Sequence, residues 1–232
     1  QMELFLKEDD KIFEQTKLAA GKMITDIFGY DALLVGDLFD QDFLRASRIA
    51  NKWRVTQNFE MPLNTEKFDF ISDLCSISIA PEKIDLIVLP FVLESTERPY
   101  EVLGEMAELL VTDGYLLLIG VARWSFGRNN FFSKINSLAP HGSPSLFTIA
   151  DLRSRLAESN LVIEKLESKY FGRFCDFKGT EEKSNNFFKK RLAICFGEVY
   201  LLLAKKKLMP VTPLRNLFDR NRKIIKSKIL ET

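Results

Sequence analysis

Apolar runs alternate with amphipathic stretches along this chain, and the alternation sets the expected elements. Lys7 to Phe28 reads as a helix, with Ile12, Leu18, Ala19, Met23 and Ile27 recurring near the helical period. Gly29 is expected to stop it. Ala32-Leu33-Leu34-Val35-Gly36 reads as a short buried strand that ends in glycine. Asp40 is placed to cap a helix from Gln41 to Lys52. Trp53 to Phe59 and Phe68 to Ser72 read as the next two strands.

Asp85-Leu86-Ile87-Val88-Leu89 is almost continuously apolar, as strands covered on both faces are. Pro99 then starts a helix from Tyr100 to Val111, with Val102, Leu103, Met106, Leu109 and Leu110 on one face. Thr112-Asp113-Gly114 reads as a turn before the buried strand Tyr115 to Gly120. Thr148 is expected to cap a helix from Ile149 to Ser159, with Asp151 in its first turn. Leu161 to Tyr170 and Glu198 to Ala204 read as closing strands. Residues 172–191 are polar and charged and are expected to form a long excursion.

This order predicts an α/β fold: a doubly wound, Rossmann-like, seven-stranded and mostly parallel sheet with helices on both faces. Ligands of such sheets bind at the carboxyl ends of the strands, where strand order reverses. The residues in that position are Gly36-Asp37, Glu60, Asp73-Leu74, Pro90 to Glu94, and Val121 to Phe126.

Composition narrows the chemistry. The 232 residues hold 33 Lys+Arg against 32 Asp+Glu, yet the balance is uneven. Residues 205–232 hold nine Lys/Arg and two Asp/Glu, so they carry +7 and the rest carries −6. A division into a body, 1–204, and a tail, 205–232, follows, with an acidic body and a basic tail suited at most to weak contact with nucleic acid or an anionic surface. The one histidine, His141, excludes a multi-histidine metal site, and no metal is expected. His141 lies in a loop-like stretch and reads as a surface residue. Cys75, Cys175 and Cys195 form no C-x-x-C pair and read as reduced thiols. No apolar run approaches the ~20 residues that cross a bilayer. The start, Gln1-Met2-Glu3-Leu4, has no basic region of a signal peptide, so a cytoplasmic protein is expected.

The block from Ile84 through Asp85-Leu86-Ile87-Val88-Leu89, Val92-Leu93-Glu94 and Pro99 to Asp113-Gly114-Tyr115-Leu116-Leu117-Leu118-Ile119-Gly120 resembles a class I S-adenosylmethionine-dependent methyltransferase. It is similar to the small bacterial type 11 domains, in which a D-L-(I/V)-(V/L) strand and an L-E pair precede a proline-started helix and a glycine-led strand. Gly120 to Gly127, with Trp124-Ser125, resembles a loop of one small bacterial subgroup, and so does the last strand running into basic residues. The likeness spans roughly residues 30–215.

The resemblance implies S-adenosylmethionine as cofactor, S-adenosylhomocysteine as product, and an acceptor that the sequence does not reveal. It implies Gly36 and Asp37 at the cofactor, Glu60 on the ribose hydroxyls, Asp73 and Leu74 around the adenine, and Pro90 beside the methyl donor. Arg123, Trp124 and Phe126 fall on the acceptor side. Glu94 reads as a solvated or structural carboxylate. One element departs from the family: its glycine-rich turn is here Val35-Gly36-Asp37-Leu38-Phe39-Asp40, with Leu38 and Phe39 where small residues are expected. The alternative reading is therefore a methyltransferase-fold scaffold without catalysis. The oligomeric state is left open.

Overall fold

The computed structural model describes residues 2–57, 69–121, 147–170, 173–176 and 199–207. The chain begins with helix α1 (Met2–Ile24), strand β1 (Phe28–Val35), a 3-10 helix (Gln41–Ala46), β2 (Arg48–Thr56) and β3 (Phe70–Ile71). It continues through β4 (Ile84–Pro90), α2 (Val92–Ser95), α3 (Pro99–Leu109) and β5 (Leu110–Val121). Helix α4 (Ile149–Glu158) and strands β6 (Leu161–Tyr170), β7 (Arg173–Asp176) and β8 (Val199–Lys206) follow.

One sheet holds all eight strands, in the order β3-β2-β1-β4-β5-β8-β6-β7. Pairings from β3 to β5 are parallel, and those of β8 with β5 and β6, and of β6 with β7, are antiparallel. Seven strands form the expected, mostly parallel sheet, made mixed by the antiparallel β8 and its neighbours, and β7 is an addition at its edge. Its four residues fall inside the stretch 172–191 that the sequence reads as an excursion. The free main-chain edge of β6 explains the difference, because it pairs from Glu167↔Asp176 to Tyr170↔Arg173 whatever the side chains are.

Period-two alternation splits the apolar strands between two cores. Ala32, Leu34, Leu86, Val88, Leu117, Ile119, Leu201 and Leu203 face α1 and the 3-10 helix. Leu33, Val35, Ile87, Leu89, Leu116, Leu118, Tyr200 and Leu202 face α3 and α4. Burial on both faces is the reason these strands read as unbroken apolar runs.

Helix α1 buries Thr16, Ala20, Met23 and Ile24; of the expected stripe Met23 is buried, as is Ile27 just beyond the helix, while Leu18 is 65% exposed. It ends at Ile24, four residues before the expected limit, and Gly29 lies inside β1. The expected helix over 41–52 is also corrected. Ser47 Oγ donates to Leu44 O at 2.8 Å and closes a 3-10 turn. From Arg48 onward the backbone joins β1 in a parallel ladder, Phe28↔Arg48 to Val35↔Val55. Trp53 thus sits within β2 and donates its indole N–H to Asp31 Oδ1 at 2.9 Å. The expected turn at Thr112-Asp113-Gly114 is an irregularity within β5. Register jumps from Ile84↔Leu110 to Leu86↔Tyr115, and Asp113 takes φ +66°.

Helix starts follow local chemistry. Pro99 occupies the first turn of α3. Thr148 and Asp151 form a reciprocal capping box at α4. Lys205 and Lys206, counted with the tail in the sequence, belong to β8: Lys205 Nζ meets Asp113 Oδ1 at 2.9 Å and Lys206 Nζ donates to Leu110 O at 2.8 Å. Among the described residues no helix is long and apolar enough to cross a membrane.

Candidate functional site

Strand order reverses between β1 and β4, since the chain runs from β1 out to β2 and β3 and returns on the other side. Their carboxyl ends bring Gly36, Asp37 and Pro90 to one rim of the sheet. Gly36 leaves β1 with φ +91°, and its N–H donates to Val55 O at 2.8 Å. Among the described residues a β-carbon there would touch Val92 Cγ2 alone, at 3.4 Å. The position thus needs glycine for its backbone, and α2 leans directly on it.

Asp37 is half-buried, and its Oδ1 is enclosed without a hydrogen-bond partner among the described residues. Its carbonyl accepts from Arg54 Nη2 at 3.3 Å. Arg54 is 3% exposed, and its main-chain N–H donates to Asp69 Oδ2 at 2.6 Å. Burial lowers the Arg54 pKa, while Asp37, Asp40 and Asp69 pull it back up. A buried cation braced by carboxylates holds the turn after β1 in place of the missing glycines.

Leu38 and Phe39 pack into the α1 core. The Phe39 ring is fully buried, 5.2 Å from Phe13 and 4.9 Å from Phe43 between centroids. These two large residues are used as anchors for the layer beneath the turn.

Beyond β3, Leu74 is buried in the α3-side core and Asp73 is exposed. Asp73 Oδ1 accepts the Cys75 N–H at 3.0 Å, and Oδ2 lies 3.3 Å from Arg98 Nη2. Glu105 Oε1 accepts the Ile77 N–H at 2.9 Å, so α3 pins this segment at two places. Burial pushes the Cys75 thiol up, with Arg98 opposing.

At the end of β4, Pro90 is buried and sits opposite Ile119 in register. Phe91 then takes φ +58°, a strained conformation for an aromatic residue, and donates its N–H to Ile119 O at 2.7 Å. That kink aims α2 across the rim. Glu94 of α2 is 2% exposed; its Oε1 accepts from the Val121 N–H at 3.0 Å and from Tyr200 Oη at 3.2 Å.

The structure therefore brings Gly36, Asp37 and Pro90 to a common rim and places Asp73 and Leu74 beyond β3. Glu60, Arg123, Trp124, Phe126 and His141 lie outside the described residues. Sequence reasoning did not single out Arg54, Arg98, Tyr200 or Gly120. The sequence reads Glu94 as a solvated or structural carboxylate; the fold buries it against the Val121 N–H and Tyr200 Oη.

No family model matches this chain, and no curated protein sequence matches it. Many solved structures do. A SAM-dependent methyltransferase from Thermotoga maritima is similar with TM-score 0.62 and 16% identity, over 89% of this chain and 94% of that one. Magnesium protoporphyrin IX methyltransferase from Synechocystis, solved with bound SAH, is similar with TM-score 0.55 and 15% identity, over 88% of each chain. The [4+2]-cyclase SpnF is similar with TM-score 0.55 and 14% identity, over 85% of this chain and 81% of that one. Strand order, the reversal between β1 and β4, and these likenesses agree: the chain has the class I methyltransferase fold.

Proposed function

We propose that this protein is an S-adenosylmethionine-dependent methyltransferase acting on an acceptor not yet identified. The observation that carries the reading is Gly36, held at φ +91° where strand order reverses, with nothing but Val92 against it among the described residues. Bare backbone at that place lets a ligand approach closely. The enclosed Asp37 Oδ1 beside it, without a hydrogen-bond partner among the described residues, suits a cationic group such as the methionine ammonium.

In this reading the turn Gly36-Asp37 seats the amino-acid end of the cofactor and Pro90 flanks the methyl donor. Asp73 and Leu74 take the adenine, and Glu60 takes the ribose hydroxyls. Arg123, Trp124 and Phe126 meet the acceptor. The cofactor, when bound, supplies a methyl group activated by its sulfonium. The chain's own part is to bind, orient and exclude water, which suits a sequence with one histidine.

Calorimetric titration with S-adenosylmethionine and S-adenosylhomocysteine tests this on the wild type, Asp37→Asn and Asp73→Ala. Binding near the micromolar range, about −8 kcal/mol, that both substitutions weaken would uphold it. Absence of binding up to millimolar ligand would sink it.

A second reading, a non-catalytic scaffold on the same fold, is favoured by the single glycine of the turn and by the Arg98–Asp73 ion pair that engages the adenine-side carboxylate. Fold alone does not select a reaction, as the similarity to a cyclase illustrates. For a scaffold using its basic end, deleting residues 213–232 abolishes a salt-dependent affinity for nucleic acid or anionic vesicles; unchanged affinity excludes that use.

A further inference from the structure

Glu94 makes a contact that methyl transfer itself does not call for. It stands on α2, directly after β4, and its Oε1 ties down both the Val121 N–H at the end of β5 and Tyr200 Oη at the start of β8. Its Oε2 is enclosed and has no hydrogen-bond partner among the described residues. The space is exclusive: a β-carbon on Gly120 would lie 2.2 Å from Glu94 Oε1 and from Tyr200 Oη. The same helical turn meets Gly36 through Val92. One carboxyl group thus joins three carboxyl-end elements, and its helix rests on the turn that the proposed cofactor would occupy.

We propose that Glu94 is a proton-controlled positioning residue: as the neutral acid it locks α2 onto β5 and β8, and on ionisation it strains that lock and shifts the support of the Gly36 turn.

The physical reason lies in the two oxygens. Oε1 accepts from Val121 and Tyr200, whereas Oε2 has no hydrogen-bond partner among the described residues. An ionised carboxylate would leave part of its charge on an enclosed oxygen with no donor, which is costly in a dry interior. A proton on Oε2 removes the charge and leaves Oε1 free to accept from both donors. Burial accordingly raises the Glu94 carboxyl from 4.5 to about 7, against the lowering effect of the Val121 N–H, of its own main-chain N–H and of the Tyr200 hydroxyl. The titratable group that faces it is Tyr200, from β8; β5 presents the main chain of Gly120 and Val121, and α2 adds Val92 and Leu93. Tyr200 is pushed well above its ordinary value by burial and then by Glu94, so it stays a neutral donor.

The sign follows from linkage. The folded value exceeds the unfolded one, so the stabilising effect of the neutral acid is fully present below pH 4.5 and is lost as pH rises through about 7.

The part of this inference that concerns the Gly36 turn rests on the cofactor reading; the lock itself does not. The test compares urea unfolding of the full chain from about pH 5 to about pH 8 for the wild type, Glu94→Gln and Tyr200→Phe, together with S-adenosylhomocysteine affinity at each pH. The wild type loses stability relative to Glu94→Gln across this interval. Tyr200→Phe, which keeps the ring and deletes one donor, moves the loss to higher pH. S-adenosylhomocysteine affinity weakens severalfold over the same interval in the wild type and stays level in Glu94→Gln. Parallel pH curves for wild type and Glu94→Gln overturn the proposal, and so does an unmoved midpoint in Tyr200→Phe if the Gln variant does not fold. Diverging stability with identical pH dependence of affinity overturns the coupling to the Gly36 turn. No affinity at any pH in any variant sinks the methyltransferase reading instead, and the stability curves then decide the lock alone.

Discussion

Gly29 and Asp85 occupy one space at the amino ends of β1 and β4. A β-carbon on Gly29 would lie 2.4 Å from Asp85 Cβ, and Asp85 Oδ2 accepts the N–H groups of Tyr30 at 2.7 Å and Asp31 at 3.0 Å. The carboxylate needs that opening to reach the β1 backbone. Gly29→Ala therefore forces Asp85 away from both donors. The expected loss is about 1–3 kcal/mol of stability, read as a lower urea midpoint with an unchanged slope.

Gly120 and Gly104 should respond in opposite directions. A methyl group at Gly120 collides with the buried Glu94–Tyr200 contact, whereas one at Gly104 meets nothing within 4 Å among the described residues. Gly120→Ala is expected to cost about 3 kcal/mol or more, because neither buried partner has room to withdraw. Gly104→Ala lies within α3 and is expected to stabilise by about 0.5–1 kcal/mol. Thermal unfolding of the two variants beside the wild type checks both signs.

Thr148 starts α4 through its Oγ1, which accepts the Asp151 N–H at 3.2 Å while Asp151 Oδ2 accepts the Thr148 N–H at the same distance. Thr148→Ala removes one half of that exchange. A loss of about 1 kcal/mol is expected, and Thr148→Ser should recover most of it. Equal stability of the Ala and Ser variants would show that the cap is idle.

Arg98 holds Asp73 at a surface where ion pairs contribute little. Both side chains are about half exposed, at 52% and 48%. Arg98→Ala is therefore expected to leave the urea midpoint nearly unchanged. If Asp73 receives the adenine amine, the same substitution releases its Oδ2 and tightens S-adenosylmethionine binding, whereas Asp73→Ala weakens it. Calorimetry on the two variants separates these effects; equal affinities would remove Asp73 from the cofactor site.

Legibility in the sequence followed the range of the interaction. Strands β4 and β5 were readable as buried because both of their faces are apolar, and that property sits in consecutive residues. Pro99 and Thr148 marked helix starts because a fixed φ and a capping hydroxyl act within one turn. Those elements, in their order, predicted the α/β class and the rim where Gly36, Asp37 and Pro90 meet.

Contacts across the chain decided the rest. Whether residues 48–52 continued a helix or joined β1 was settled by a ladder to a strand twenty positions earlier. Gly29 looked like a helix stop, and its reason is a carboxylate on β4 whose hydrogen bond to Tyr30 spans 55 positions. Glu94 looked like an ordinary charge until the fold brought Tyr200, 106 positions away, against it. By itself the sequence determined the twice-covered strands β4 and β5 and the helix starts at Pro99 and Thr148, since those follow from side chains a few residues apart. Only the tertiary structure decided which charges are buried and which glycines are indispensable, because desolvation and excluded volume depend on the neighbours that folding supplies.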